Sequence, residues 1–127
     1  MNGNEVVLDT NILLYFLNGD VNVRQFFNDY NPIISFITEL ELLSAPEISP
    51  NEKQLIEELI KDLTVIRYTD RHKSDIIKLR SKKRLKLPDA IIASLAMTLN
   101  LPLVTADKAL RNINDLNLIF YNIPDIE

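Results

Sequence analysis

The stretch Glu5-Val6-Val7-Leu8-Asp9-Thr10-Asn11-Ile12-Leu13-Leu14-Tyr15-Phe16-Leu17 decides the fold class. After Glu5, Val6-Val7-Leu8 form a short apolar run with two β-branched valines, the composition of a strand buried on both faces. Asp9 ends that run. From Thr10 the apolar residues fit a helix that reaches Leu17 and stops near Gly19. A buried strand that feeds directly into a helix is the opening of a parallel α/β unit.

The alternation continues along the chain. Further strands are expected at Pro32–Phe36, Thr64–Tyr68, Leu103–Thr105 and Leu118–Tyr121. Val21 to Tyr30 reads as a second, short amphipathic helix. Thr38 can cap a helix that runs to about Ser44, ahead of Pro46. Ser49-Pro50-Asn51-Glu52 reads as a capping box with proline at the first helical position, after which Leu55, Leu59 and Leu63 recur every fourth residue. Asp70 starts a basic helix with Ile76, Ile77 and Leu79 facing inward. Pro88 starts the most apolar helix, which buries Ile91, Ile92, Leu95, Ala96 and Leu99. The expected architecture is one α/β domain over residues 1–127 with a largely parallel sheet.

Composition narrows the chemistry. There are no cysteines and one histidine, His72. A disulfide framework, a thiol nucleophile, a histidine-based triad and a multi-histidine zinc site are therefore out. His72 is expected on a helix surface with no catalytic role. No apolar run approaches the length of a membrane span, and the first residues lack the pattern of a secretory signal, so a cytoplasmic protein is expected. The formal charge is -4. It is unevenly spread: nine of the fourteen cations lie between Arg67 and Lys86, opposed only by Asp70 and Asp75. Such a chain can offer a polyanion one patch and a cation another.

Four acids stand where solvation alone would not put them. Asp9 ends the first strand, and Asp107 follows the strand Leu103-Val104-Thr105 in the same way. In open α/β sheets ligands bind beyond the carboxyl ends of the strands, where the strand order reverses. If these two strands are neighbours there, Asp9 and Asp107 share a crevice. Asp89 lies in the first turn of the apolar helix, where the helix dipole favours an anion. Glu41 is one turn inside the helix after the second strand. Each acid alone could be a cap or a solvated residue. Clustered, they would raise one another's pKa, and a hard divalent cation such as Mg²⁺ or Mn²⁺ is the usual remedy. A cation so held can activate water and stabilise the oxyanions of a phosphodiester. Asn11 and Thr105 would then orient the carboxylates or the attacking water.

Four blocks in this order resemble the PIN domain family: Val7-Leu8-Asp9-Thr10-Asn11-Ile12-Leu13, Ser35-Phe36-Ile37-Thr38 with Glu41-Leu42, Leu87-Pro88-Asp89-Ala90-Ile91-Ile92-Ala93, and Leu101-Pro102-Leu103-Val104-Thr105-Ala106-Asp107. More narrowly, they are similar to VapC-type toxins of toxin–antitoxin pairs. The resemblance implies a three-layer α/β/α fold with parallel strand order 3-2-1-4-5, which makes strands one and four adjacent. It implies a metal-dependent endoribonuclease using Mg²⁺ or Mn²⁺, with Asp9, Glu41, Asp89 and Asp107 as catalytic and metal-binding acids and Thr10, Asn11 and Thr105 as accessory groups. Glu41 is chosen over Glu39 because the family places its acid three residues after the threonine, just before a leucine. It further implies an RNA substrate, a homodimer and an antitoxin partner. Departures from the pattern are Ser44-Ala45-Pro46 where a glycine is frequent, Ser94 for an alanine, and no aromatic in Lys108-Ala109-Leu110. They bear on substrate shape and helix packing more than on chemistry.

Lys82, Lys83, Arg84 and Lys86 lead straight into Pro88-Asp89, so an RNA backbone neutralised along them would arrive at the acids. Two rival readings remain. One is a catalytically inactive RNA-binding scaffold of the same fold. The other is a receiver-type phosphoacceptor domain, which requires an adjacent acid pair after the first strand, whereas Asp9 stands between Leu8 and Thr10.

Overall fold

The computed structural model describes residues 3–67 and 70–122. Five parallel strands, β1 (Glu5–Leu8), β2 (Asn31–Ser35), β3 (Thr64–Ile66), β4 (Leu103–Thr105) and β5 (Leu118–Phe120), form one sheet in the order β3-β2-β1-β4-β5. This is the order implied by the four sequence blocks. Val7 pairs with Ile33 on one side and Leu103 on the other, so β1 lies at the centre with β4 beside it.

Side-chain alternation splits the core into two layers. Val6, Leu8, Ile34 and Val104 point to the face covered by α1 (Thr10–Leu17), a 3-10 turn at Val21–Arg24, α2 (Gln25–Asn28) and α4 (Pro50–Lys61). Val7, Ile33 and Leu103 point to the opposite face, covered by α5 (Asp70–Lys83) and α6 (Leu87–Leu99). The helix α3 (Phe36–Leu43) follows β2 directly and sends Ile37 to one layer and Leu42 to the other. Because the chain adds β2 and β3 on one side of β1 and then crosses to add β4 and β5 on the other, the carboxyl ends of β1 and β4 flank the switch point. Among the described residues, no helix is long and apolar enough to cross a membrane.

Several local expectations are corrected. Ser35, not Thr38, caps α3: its hydroxyl accepts the Ile37 N–H at 3.2 Å, while Thr38 is a fully buried residue inside the helix. The strand β2 therefore ends at Ser35, and Phe36 opens the helix. Val21 to Tyr30 is a 3-10 turn followed by a four-residue helix, with Asp20 capping the turn. Ser49 does cap α4, accepting the Glu52 N–H at 3.1 Å. On α4, however, Ile56 is the buried residue and Leu55 is 59% exposed. On α5 the inward residues are His72, Ile76 and Leu79, whose i, i+4, i+7 spacing defines one face. Ile77, about 100° round the helix from Ile76, is 56% exposed. His72 is buried rather than on the surface, because α5 lays that face along α6. Of the expected third strand, Tyr68 lies outside the described residues.

Candidate active site

The carboxyl ends of β1 and β4 are bridged through Asp9, whose backbone N–H donates to Val104 O at 3.0 Å and whose side chain accepts a second bond. Thr105, the last residue of β4, donates its hydroxyl to Asp9 Oδ2 at 2.7 Å. The other oxygen of Asp9 accepts the Thr10 N–H at 2.8 Å, so the residue also caps α1. Asp9 is only 4% exposed. The Thr105 hydroxyl in turn accepts the Asp107 N–H at 3.0 Å, which turns the chain after β4, and Asp107 Oδ1 takes the Ala109 N–H at 2.9 Å. One threonine thus fixes the first acid and aims the segment carrying the fourth.

A second relay fixes Glu41. Thr10 donates its hydroxyl to Glu41 Oε1 at 2.7 Å and lies 3.0 Å from the Thr38 hydroxyl. A hydroxyl has one proton to give. Since Thr10 spends it on Glu41, the Thr38 hydroxyl is the donor in the Thr38–Thr10 bond. Thr38, read from sequence as a cap and as the threonine of the second block, therefore supports the site from the core. The signal for it was its place three residues before Glu41, which puts both side chains on neighbouring positions of one helix face.

Asp89 enters from the first turn of α6. Asp9, Glu41 and Asp89, with Thr10, Asn11 and Leu14, line a cleft of about 260 Å³. Asn11 is exposed at its wall. Burial pushes Asp9 above the usual carboxylate range; the hydrogen bonds from Thr105 and Thr10 counter this, and the charges of Asp107 and Glu41 add to it. Asp89 is pushed up to about 6, first by burial and then by the charges of Asp9, Asp107 and Glu41, with Lys86 opposing. Asp9, Glu41 and Asp89 thus share one cleft, while Asp107 lines the adjoining one, near enough for its charge to act on Asp9 and Asp89. Glu39, the rejected alternative, belongs to a separate depression between α3 and α4 with Leu43, Glu57 and Lys61.

The donor set is all oxygen and all carboxylate, which fits a hard divalent cation such as Mg²⁺ or Mn²⁺ and fits poorly anything softer. A cation would also relieve the mutual repulsion that raises Asp89. Among the described residues, no three acidic or histidine side chains form a ready-made ligand shell. Both oxygens of Asp9 and one of Glu41 are held by hydrogen-bond donors instead.

A neighbouring cleft of about 440 Å³ lies on the other side of Asp89 and is lined by Lys83, Arg84, Leu85, Lys86, Asp89, Asp107 and Ala109. Three of the four cations expected to meet RNA are there. Lys82, exposed on the last turn of α5, is not among the lining residues.

Comparison with known proteins agrees with the fold. The sequence model of the PIN domain matches residues 6–116. The fold is similar to that of a chain in a toxin–antitoxin complex from Klebsiella pneumoniae, with 26% identity and a TM-score of 0.80 over 93% of this chain and 99% of that one. It also resembles a chain of DNA-bound VapBC from Salmonella typhimurium, with 23% identity and a TM-score of 0.82 over 91% of this chain and 97% of that one. VapBC2 from Rickettsia felis, bound to a DNA fragment from its promoter, gives 23% identity and a TM-score of 0.79 over 93% and 99%. No curated protein sequence gives a significant match.

Proposed function

The chain belongs to the PIN domain family, and from that premise we propose that it is a metal-dependent endoribonuclease, the toxin member of a toxin–antitoxin pair. The observation that carries the proposal is that Asp9, Glu41 and Asp89, from three separate segments, line one cleft, with Asp107 in the adjoining cleft that shares Asp89. An inactive scaffold would have no use for four acids packed against their own repulsion. A receiver domain would have no use for Glu41, which is anchored through Thr10 and Thr38.

Asp9, Asp89 and Asp107 would hold Mg²⁺ or Mn²⁺, with Glu41 completing the set. When bound, the cation supplies a lowered pKa for attacking water and charge neutralisation at the phosphodiester. The protein's own part is positional. Thr105 and the Thr10 N–H fix the two oxygens of Asp9, so its carboxylate cannot rotate freely. Thr10 holds one oxygen of Glu41 and leaves the other to accept a proton from water or to bind metal. Asn11, exposed at the cleft wall, can donate its amide to a substrate oxygen.

The 127 residues act as one domain, in the cytoplasm, as a homodimer held inactive by an antitoxin. Support for that partner comes from the similar chain from Klebsiella pneumoniae, which was solved in a toxin–antitoxin complex. The deciding test incubates the purified chain with total RNA and Mn²⁺ beside its Asp9→Asn and Asp89→Asn variants. Cleavage by the wild type, lost in both variants and in EDTA, is expected. Cleavage that survives either substitution would remove the acids from the mechanism.

A further inference from the structure

We propose that Arg84, flanked by Lys83 and Lys86, is a docking site for a backbone phosphate of RNA beside the bond to be cut; this rests on the ribonuclease reading above. The first observation is in the backbone. Helix α5 ends at Lys83, and Arg84 has φ 57, the left-handed region. The chain then folds back so that the Leu85 N–H meets Leu79 O at 3.4 Å and the Leu85 side chain is buried. This helix stop normally uses glycine, or asparagine as the next best. Helix α6 follows the rule, with Asn100 at φ 55. At the end of α5 an arginine takes the position despite its Cβ. Its side chain is exposed, so core packing does not call for it. Glu47 and Asp115 share a positive φ, so the strain only draws attention to Arg84, and the position of its side chain carries the argument.

The second observation is where that side chain lies. Arg84, Lys83 and Lys86 share one cleft, and its far wall is Asp89, which also lines the acidic cleft with Asp9 and Glu41. A strand laid along the cations therefore passes over Asp89 into the acids. A guanidinium matches phosphate through two parallel N–H donors. An acidic peptide could satisfy the same cations, but under the ribonuclease reading the acids that adjoin this cleft act on a phosphodiester, which favours RNA.

The test uses the full chain in EDTA, where nothing is cut, with a fluorescein-labelled 20-nucleotide RNA pool of random sequence as probe. Arg84→Gly should melt at or above the wild type, because the strain is relieved, yet bind the pool several-fold more weakly. The slope of log affinity against log salt should fall by about 0.7, the loss of one single-strand phosphate contact. Arg84→Lys should recover part of the affinity, and Arg84→Asn, also tolerant of this backbone, should behave as Arg84→Gly does. Wild-type affinity and slope in both Arg84→Gly and Arg84→Asn would overturn the site, as would a wild type that does not bind the pool. If polyglutamate binding depends on Arg84 and RNA binding does not, the cleft belongs to an acidic protein instead. Cleavage with Mn²⁺ separates the two proposals. Normal binding by Arg84→Gly beside an active wild type defeats the docking site alone, and Arg84-dependent binding without any cleavage defeats the enzyme alone.

Discussion

Replacing Asp89 with asparagine should make the metal-free protein more stable at neutral pH while abolishing its activity. Burial, and then the neighbouring acids, push Asp89 up to about 6 in the fold, from an ordinary 3.8. A folded pKa above the unfolded one means the folded state binds the proton more tightly. Stability contributed by the neutral carboxyl is therefore complete below about pH 4 and is lost as pH rises to about 6 and beyond. At full weight the displacement corresponds to roughly 3 kcal/mol, and because the side chain is only half-buried, solvent screening reduces this to about 1–2 kcal/mol. Asparagine cannot ionise and keeps nearly the same shape. At neutral pH in EDTA the variant should therefore melt roughly 4–8 °C above the wild type, a span expected for a domain of this size. Near pH 4 the two should coincide. Some pH dependence will persist in the variant, because Asp9 is also raised. Mn²⁺ should then reverse the order by stabilising the wild type more than the variant. The measurement is a set of melting curves from about pH 4 to pH 8 with and without Mn²⁺. A variant that melts at or below the wild type at neutral pH without metal would refute the reasoning, because the charge of Asp89 would then not be under strain.

Three further outcomes follow from single hydrogen bonds. Thr10→Val removes the donor to Glu41 and the acceptor for Thr38; it should cost about 1–3 kcal/mol in urea melts and depress RNA cleavage, whereas Thr10→Ser should retain most of both. Thr105→Val leaves Asp9 Oδ2 without its hydroxyl donor, so Asp9 should titrate higher and the acid limb of the pH–rate profile should move to higher pH, with Thr105→Ser restoring it. Ser49→Ala deletes the cap of α4 and should cost about 1 kcal/mol with no change in cleavage, since α4 contributes no acid to the crevice.

The parts of the molecule that were legible in sequence share a physical reason. Val6-Val7-Leu8 and Leu103-Val104 are apolar on both faces, so they could only be central strands, and an acid directly after such a strand can only stand at the sheet's carboxyl edge. That placed Asp9 and Asp107. The adjacency of β1 and β4 came from the resemblance, since no local pattern encodes which strands are neighbours. What escaped was decided by tertiary contact. Ser35 and Thr38 are both good caps, and the choice between them is made by the burial of Thr38 against Thr10, a contact 28 residues away. Leu55 and Ile56 are consecutive apolar residues, and only the position of the neighbouring strands tells which one turns inward. His72 joins the core because Ile76 and Leu79 fix the inner face of α5 and a histidine happens to stand one turn earlier. The left-handed arginine at position 84 had no signal at all, since nothing in Lys83-Arg84-Leu85 marks a helix stop.

The claim that four acids make one metal site is tested most directly by calorimetric titration of Mn²⁺ into the purified, antitoxin-free chain, beside Asp9→Asn and Glu41→Gln. These two residues come from different segments and share no direct hydrogen bond; Thr10 is the residue that touches both. Saturable binding by the wild type, weakened tenfold or more in each variant with the fold intact, is the expected result. A folded wild type that binds no Mn²⁺, or binding that neither substitution weakens, would contradict it.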